Sequence, residues 1–408
     1  MTTGADNQSG DYNIVDDGTV YKIATGVGND DITVVQLPDG SATVTINGHE
    51  LTLTPDQARR LEIDAGAGND IITVHGASDP TSTAGVVIHG GGGNDQIIGG
   101  PGDDTLSGGP GRDYIDGGSG DDTLLGGRGK DTIYGGLGHD EVSGGASRDY
   151  IDGGPGHDLL KGGTGDDFLS GGHGVDDIDG GPGNDIAAGG AEVDRFASIE
   201  RVHDEFVPTS GSSITIEGAP EFVARVEADL ATLRSLPEGR ALLDSLDESG
   251  HRTVIKPSTT GKNSAVIPKG DEVRWQSDGT PGVGRNATVK YNPTSNRRPG
   301  RELYKQRPPV VALYHELIHA DDVVNGTVRE GWSVQVDENG DLIPGKSGEP
   351  RRARNRELDA VGLPFDEDNS AHDKSEATMD PAELESNTRD ITENKFREDI
   401  GESERFRY

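Results

Sequence analysis

The densest chemistry in the chain is a five-residue run, His315-Glu316-Leu317-Ile318-His319. On a helix, side chains four positions apart share a face, so His315 and His319 present two imidazoles in one direction. Such a pair is the beginning of a zinc site. Glu316 lies beside the pair, where its carboxylate can take a proton from a zinc-activated water and act as general base in peptide-bond hydrolysis. A catalytic zinc needs a third protein ligand and one open position. An extended motif with a downstream glycine and histidine is absent, because Asp322 and Asn325 occupy those places. Glu357 is the expected third ligand, in a segment ended by Gly362 and Pro364; Asp359, Asp322 and His372 are the alternatives.

A second chemistry is spread over residues 90–188, where a nine-residue unit, Gly-Gly-x-Gly-x-Asp-x-apolar-x, recurs eleven times without a break. Its sixth position is always aspartate: Asp95, Asp104, Asp113, Asp122, Asp131, Asp140, Asp149, Asp158, Asp167, Asp176 and Asp185. Its eighth position is apolar, from Ile97 through Leu106, Ile115 and onward to Ile178, and shrinks to Ala187 at the end. Glycines allow the positive φ angles of tight turns, and the apolar residue points inward from a short strand. Two units then make one coil, and stacked coils bring like aspartates to strand spacing, about 4.8 Å. Such columns repel themselves unless a cation joins them. Calcium, which takes about six to eight oxygens, is the fitting one. One inward residue per strand buries little, so the array is expected to fold only with metal. Ser147 replaces a turn glycine, and its turn is expected to hold calcium weakly or not at all. His89, His139, His157 and His173 fall at variable positions and are expected to face solvent.

The elements that position these groups follow from pattern. Residues 1–89 alternate as strands broken by turns, and read as an irregular β-rich cap. Within it, Gly26-Val-Gly-Asn-Asp and Gly66-Ala-Gly-Asn-Asp echo the repeat. Residues 90–190 are the roll and residues 191–218 a polar linker. Residues 219–408 form a second domain. It opens with two helices split at Pro237, continues with strands over 253–293, and then places the motif on a helix over 309–324. Another helix is expected over roughly 350–361, carrying Glu357. Asn325-Gly326 stops the motif helix. The fold class is a multidomain chain, an N-terminal parallel β-roll followed by an α+β zincin-like domain.

Bulk composition narrows the partners. The chain has 408 residues, 63 glycines and a formal net charge of −36, which argues against nucleic acid and for a cationic partner such as a metal ion. There are no cysteines, so thiolate sites and disulfides are excluded. The start of the chain has neither a basic region nor an apolar run of the Sec type, and no stretch reaches the ~18–20 apolar residues of a membrane span. A monomer acting on a protein or peptide is expected. The cluster Arg297, Arg298, Arg301, Lys305 and Arg307 is the one basic patch, read as a solvated loop or a contact for acidic substrate segments.

Two family resemblances bear on these motifs. The nonapeptide array resembles the repeats-in-toxin (RTX) family, which implies calcium at the aspartate turns. The segments Tyr314-His-Glu-Leu-Ile-His-Ala-Asp-Asp, Glu357-Leu-Asp-Ala-Val-Gly-Leu-Pro and Glu393-Asn-Lys-Phe-Arg, with a closing Arg405-Phe-Arg-Tyr408, resemble the NleD-like effector metallopeptidases. That resemblance implies a secreted bacterial zinc endopeptidase with the third ligand at Glu357. Asp322 then looks like a carboxylate that orients a ligand from behind. Tyr291, on a strand ahead of the motif helix, is read as core packing or as a cleft residue steadying an oxyanion. The competing reading is a calcium-binding surface or structural protein whose zincin domain is vestigial.

Overall fold

The computed structural model describes residues 12–76, 84–190, 194–203, 209–259, 263–266, 281–292, 309–325, 332–334, 352–354, 397 and 400. They divide into two compact units. Of the described residues, the first holds those up to 203 and 224–232, and the second holds the remainder.

The first unit is a parallel β-roll. Its strands alternate between a 10-stranded and an 11-stranded sheet, so each successive repeat crosses to the opposite sheet. Register confirms a coil of two repeats: Thr105 pairs with Thr123 and Tyr114 with Thr132, always in parallel. The eighth-position side chains stack as the core between the sheets. Ile97, Leu106, Ile115, Leu124, Ile133, Val142, Ile151, Leu160 and Leu169 are all 0 % exposed, and even Ala187 is fully buried. From Gln96–Pro101 to Phe168–His173 the strands are six residues long, as in Thr123–Arg128, and include the paired glycines, because a stack this tight leaves little chain outside the ladders.

The segment before the repeats is continuous with both sheets. Strand Tyr21–Thr25 pairs in parallel with Leu61–Asp64, and Asp31–Gln36 pairs in parallel with Ile71–His75, which in turn pairs with Gln96–Pro101. Antiparallel partners, Tyr12–Asp16 on one sheet and Ala42–Ile46 with His49–Leu53 on the other, finish this end. Helix α1 (Pro55–Ala58) starts at Thr54, whose hydroxyl accepts from the Gln57 N–H in a capping box. At the other end, Arg195–Ala197 and Arg201–His203 add one strand to each sheet.

The two outer faces differ. On the 11-stranded sheet, Tyr114, Tyr134, Tyr150 and Phe168 form a buried aromatic column with ring centroids 5.3–5.7 Å apart. Residues 224–232 of helix α2 (Pro220–Ser235), which belong to this unit, lie over it. Arg225 stacks on the Tyr134 ring, and Thr232 Oγ1 is 2.9 Å from Ser170 Oγ. The matching positions of the other sheet, such as Thr105, Glu141 and Leu159, are exposed.

In the second unit, α3 (Pro237–Glu248) follows α2 after a single extended residue, Leu236, with Pro237 at its first turn. A four-stranded sheet runs in the order Ile214–Ile216, Thr253–Pro257, Ala287–Tyr291, Ser264–Val266, with only the last strand antiparallel to its neighbour. Helix α4 (Pro309–Asn325) packs on α3 and on the last two strands of this sheet. Trp332–Val334 pairs antiparallel with Arg352–Arg354. The helix expected over roughly 350–361 is therefore corrected at its start: 352–354 is a strand, because pairing with Trp332–Val334 overrides local propensity. Among the described residues no helix is long and apolar enough to cross a membrane.

Candidate functional site

The motif helix is buried on all sides. Every described side chain from Val310 to Val324 is inaccessible or nearly so, which fits the apolar run ahead of the motif and takes Asp321 and Asp322 into the interior with it. Its far end is tied down: Asp321 accepts from Ser245 Oγ at 2.7 Å and from Asn325 Nδ2 at 2.8 Å. His315 and His319 are 3 % and 4 % exposed. Their ring centroids are 4.8 Å apart and the rings are nearly perpendicular. This excludes two histidines solvated on a surface helix.

Glu316, 7 % exposed, reaches the edge strand: the Ala265 N–H donates to its Oε2 at 2.6 Å. A fixed donor on one oxygen sets the direction of the other. Asp322 is buried on the same helix and Tyr291 is fully buried at the end of its strand, which fits packing. Glu357, Asp359, His372 and the Arg297–Arg307 cluster lie outside the described residues. Two adjacent buried imidazoles with a carboxylate beside them make a donor set that suits zinc. Among the described residues no group of three metal-donor side chains converges on one point.

The repeat aspartates form two hydrogen-bonded ladders, one along each edge of the roll. In one, the N–H of Asp95 donates to Asp113 Oδ1, Asp113 to Asp131, Asp131 to Asp149, Asp149 to Asp167 and Asp167 to Asp185, at 2.8–2.9 Å. The other runs Asp104, Asp122, Asp140, Asp158, Asp176 in the same way. One carboxylate oxygen per residue is thus used by the fold. The second oxygen, Oδ2, of Asp95, Asp104, Asp122, Asp140, Asp149, Asp158, Asp167 and Asp185 is buried with no hydrogen-bond partner. A Cβ on Gly162 would stand 2.6 Å from both Asp167 Oδ2 and Gly180 O, so only glycine leaves room for these oxygens to approach.

A buried, ionised and unpaired oxygen is costly, and repetition multiplies the cost. Burial pushes Asp122 and Asp149 up to about 9 and Asp104 and Asp158 up to about 8, against the partial relief of the backbone N–H each accepts. Columns of orphaned carboxylate oxygens flanked by turn carbonyls fit calcium, which draws its ligands from both.

Ser147 keeps the turn. It adopts φ +84, a left-handed conformation like that of the glycines at its position, and its N–H donates to Thr164 O at 2.7 Å. His139 and His157 are exposed as expected, whereas His89 and His173 are half-buried. The exposed two also work as rungs of an outer ladder, since His139 Nδ1 accepts from the His157 N–H and His157 Nδ1 from the Val175 N–H, both at 2.8 Å.

Comparison with known families matches residues 210–408 to the peptidase M91 family, described as effector protein. Four copies of the RTX calcium-binding nonapeptide repeat match within residues 89–187. An RTX calcium-binding array precedes a peptidase M91 effector domain. Searches of curated proteins and of solved structures returned no match. The M91 domain carries the His315–His319 helix, and the RTX array carries both aspartate ladders. The sequence reading missed the aromatic column under residues 224–232 of α2. Its signal was present: aromatic residues occur at outward positions only in alternate repeats, at Tyr114, Tyr134, Tyr150 and Phe168.

Proposed function

We propose that the M91 domain is a zinc endopeptidase acting on a protein substrate, and that the RTX array is its calcium-dependent carrier. The observation that carries this reading is the buried trio of His315, Glu316 and His319 on α4, with Glu316 anchored by the Ala265 N–H. His315 and His319 would hold the metal, with Glu357 as third ligand and Asp322 supporting from behind. Bound zinc supplies a Lewis acid for the scissile carbonyl and an acidified water. Glu316 Oε2 stays on the Ala265 N–H, and its other oxygen takes the proton from the attacking water and returns it to the leaving amine. Among the described residues Ser264–Val266 is the last strand of its sheet, so an extended peptide beside it would use backbone pairing for alignment.

The roll then serves as the calcium-responsive part and the M91 domain as the catalytic part, in a monomer that works outside the producing cell; the linker expected over 191–218 is in part strand, since Arg195–Ala197 and Arg201–His203 extend the roll and Ile214–Ile216 joins the second unit's sheet. Calcium is scarce before export and abundant afterwards, so the ladders stay unsatisfied inside and close outside. The deciding experiment is Glu316→Gln in the full chain, with zinc content and cleavage of a peptide library measured together. Zinc should remain while kcat falls ~10²–10⁴-fold, the usual range for a general base. Undiminished cleavage by this variant would sink the proposal. Glu357→Ala should lose zinc, and unchanged zinc occupancy would move the third ligand elsewhere.

A further inference from the structure

The aspartate ladder does not begin where the repeats begin. Asp95 Oδ1 accepts from the Asp70 N–H at 2.9 Å, and Asp70 Oδ1 accepts from the Asp30 N–H at 2.7 Å. These rungs are the same as those inside the array, although 40 residues separate Asp30 from Asp70 and 25 separate Asp70 from Asp95. The asparagines beside them stack likewise: the Asn69 N–H donates to Asn29 Oδ1 at 2.8 Å and the Asn94 N–H to Asn69 Oδ1 at 2.7 Å. The turn carbonyls are also in series, since Gly26 O accepts from the Ala67 N–H and Gly66 O from the Gly92 N–H. Gly66 and Gly68 have positive φ, as Gly91 and Gly93 do. Thr25 and Ala65 stand where the repeat has its first glycine, so both turns depart from the nonapeptide pattern, and the RTX match starts only at 89.

A second feature of these turns points to a ligand. Asp70 is 0 % and Asp30 8 % exposed, and Oδ2 of each is buried without a hydrogen-bond partner. Asn47 closes the ladder by donating its side-chain amide to Asp30 Oδ1 at 2.7 Å, and Oδ2 remains over. Burial, with the neighbouring carboxylates of Asp95 and Asp30, pushes Asp70 up to about 7 despite the Asp30 N–H it accepts. The far end of the other ladder, which runs from Asp104 to Asp176, is finished differently. Asp194 accepts from the Asp176 N–H with one oxygen and from the Gly190 N–H with the other, so both are engaged by the fold.

We propose that the turns at Gly26–Asp30 and Gly66–Asp70 are two further calcium sites, built from Asp30 and Asp70 Oδ2 and the stacked turn carbonyls, and that the calcium column extends beyond the repeats at this end. The rest of residues 12–76 is then part of the metal-dependent fold, not an inert cap.

The test is calcium stoichiometry on the full chain, by equilibrium dialysis with elemental analysis, for the unsubstituted protein, Asp70→Asn, Asp30→Asn and Asp31→Asn. Asparagine keeps an acceptor for the ladder N–H but removes the charge. Asp70→Asn and Asp30→Asn should each bind about one ion fewer per chain. Asp31→Asn, whose side chain is exposed one residue along, should keep the full count. Full stoichiometry in both ladder variants, or an equal loss in Asp31→Asn, overturns the proposal. Should Asp70→Asn not reach the β-sheet circular dichroism of the parent, Asp30→Asn, at the end of the stack, decides alone.

Discussion

The roll and helix α4 solve opposite problems with buried charge. In the roll, the same carboxylate recurs on every coil, and no single one is special. In α4, the two imidazoles and the Glu316 carboxylate occur once, inside a buried helix whose other acids, Asp321 and Asp322, follow the motif. Repetition distributes function, so a lesion in the roll should be graded. Concentration localises it, so a lesion in the motif should be total. Substitutions can break or sharpen that contrast.

The largest effect is expected at the motif. His319→Ala removes one of two adjacent donors and should abolish both zinc retention and peptide cleavage, read by elemental analysis and by a fluorogenic peptide. Cleavage surviving without zinc would break the contrast at its sharpest point. Next comes removal of calcium from the whole array. Chelation should collapse the roll's β-sheet circular dichroism, because the orphaned oxygens of both ladders lose their common partner. A single Asp131→Asn should instead leave the roll folded in saturating calcium and only raise the calcium needed at midpoint.

The pH response should have opposite signs in the two metal states. Without calcium, the raised carboxyls, from about 7 at Asp140 and Asp167 to about 9 at Asp122 and Asp149, bind protons more tightly in the folded roll than in the unfolded chain. Stability from that source is complete below the ordinary value of 3.8 and is lost as pH rises through about 7–9. A chelated sample should therefore gain roll structure on acidification, whereas a calcium-loaded one should lose it as protons displace metal. Denaturant titrations at several pH values, with and without calcium, read both slopes.

Two smaller effects concern packing and strain. Ile133→Ala opens a void in the fully buried inner column and should lower stability by ~2–5 kcal/mol in calcium. Ser147→Gly relieves a left-handed serine and should raise it by about 1 kcal/mol, visible as a small shift of the denaturant midpoint.

Much of this was legible from residues alone, for identifiable reasons. A nine-residue period fixes its own geometry, because each coil can pack only on a copy of itself. The inward column from Ile97 to Ala187 followed from position eight, and the parallel register followed from two repeats per coil. The His315–His319 pair followed from helical spacing. What the spacing left open was environment. A histidine pair four residues apart reads the same on a wet surface as inside a domain, and burial to 3–4 % comes only from what packs around α4.

The sequence by itself determined the roll, its repeating aspartates, and the residues of the His315–His319 motif, since all three rest on local spacing. Tertiary structure alone decided three other matters. It brought Asp30 and Asp70 into one ladder with Asp95 across separations the repeat period does not contain. It placed the Ala265 N–H against Glu316 from a strand 51 residues earlier in the chain. It made one outer face of the roll a buried aromatic bed and left the other open to water. Each is a contact between segments with no shared period, so nothing in either segment alone records it.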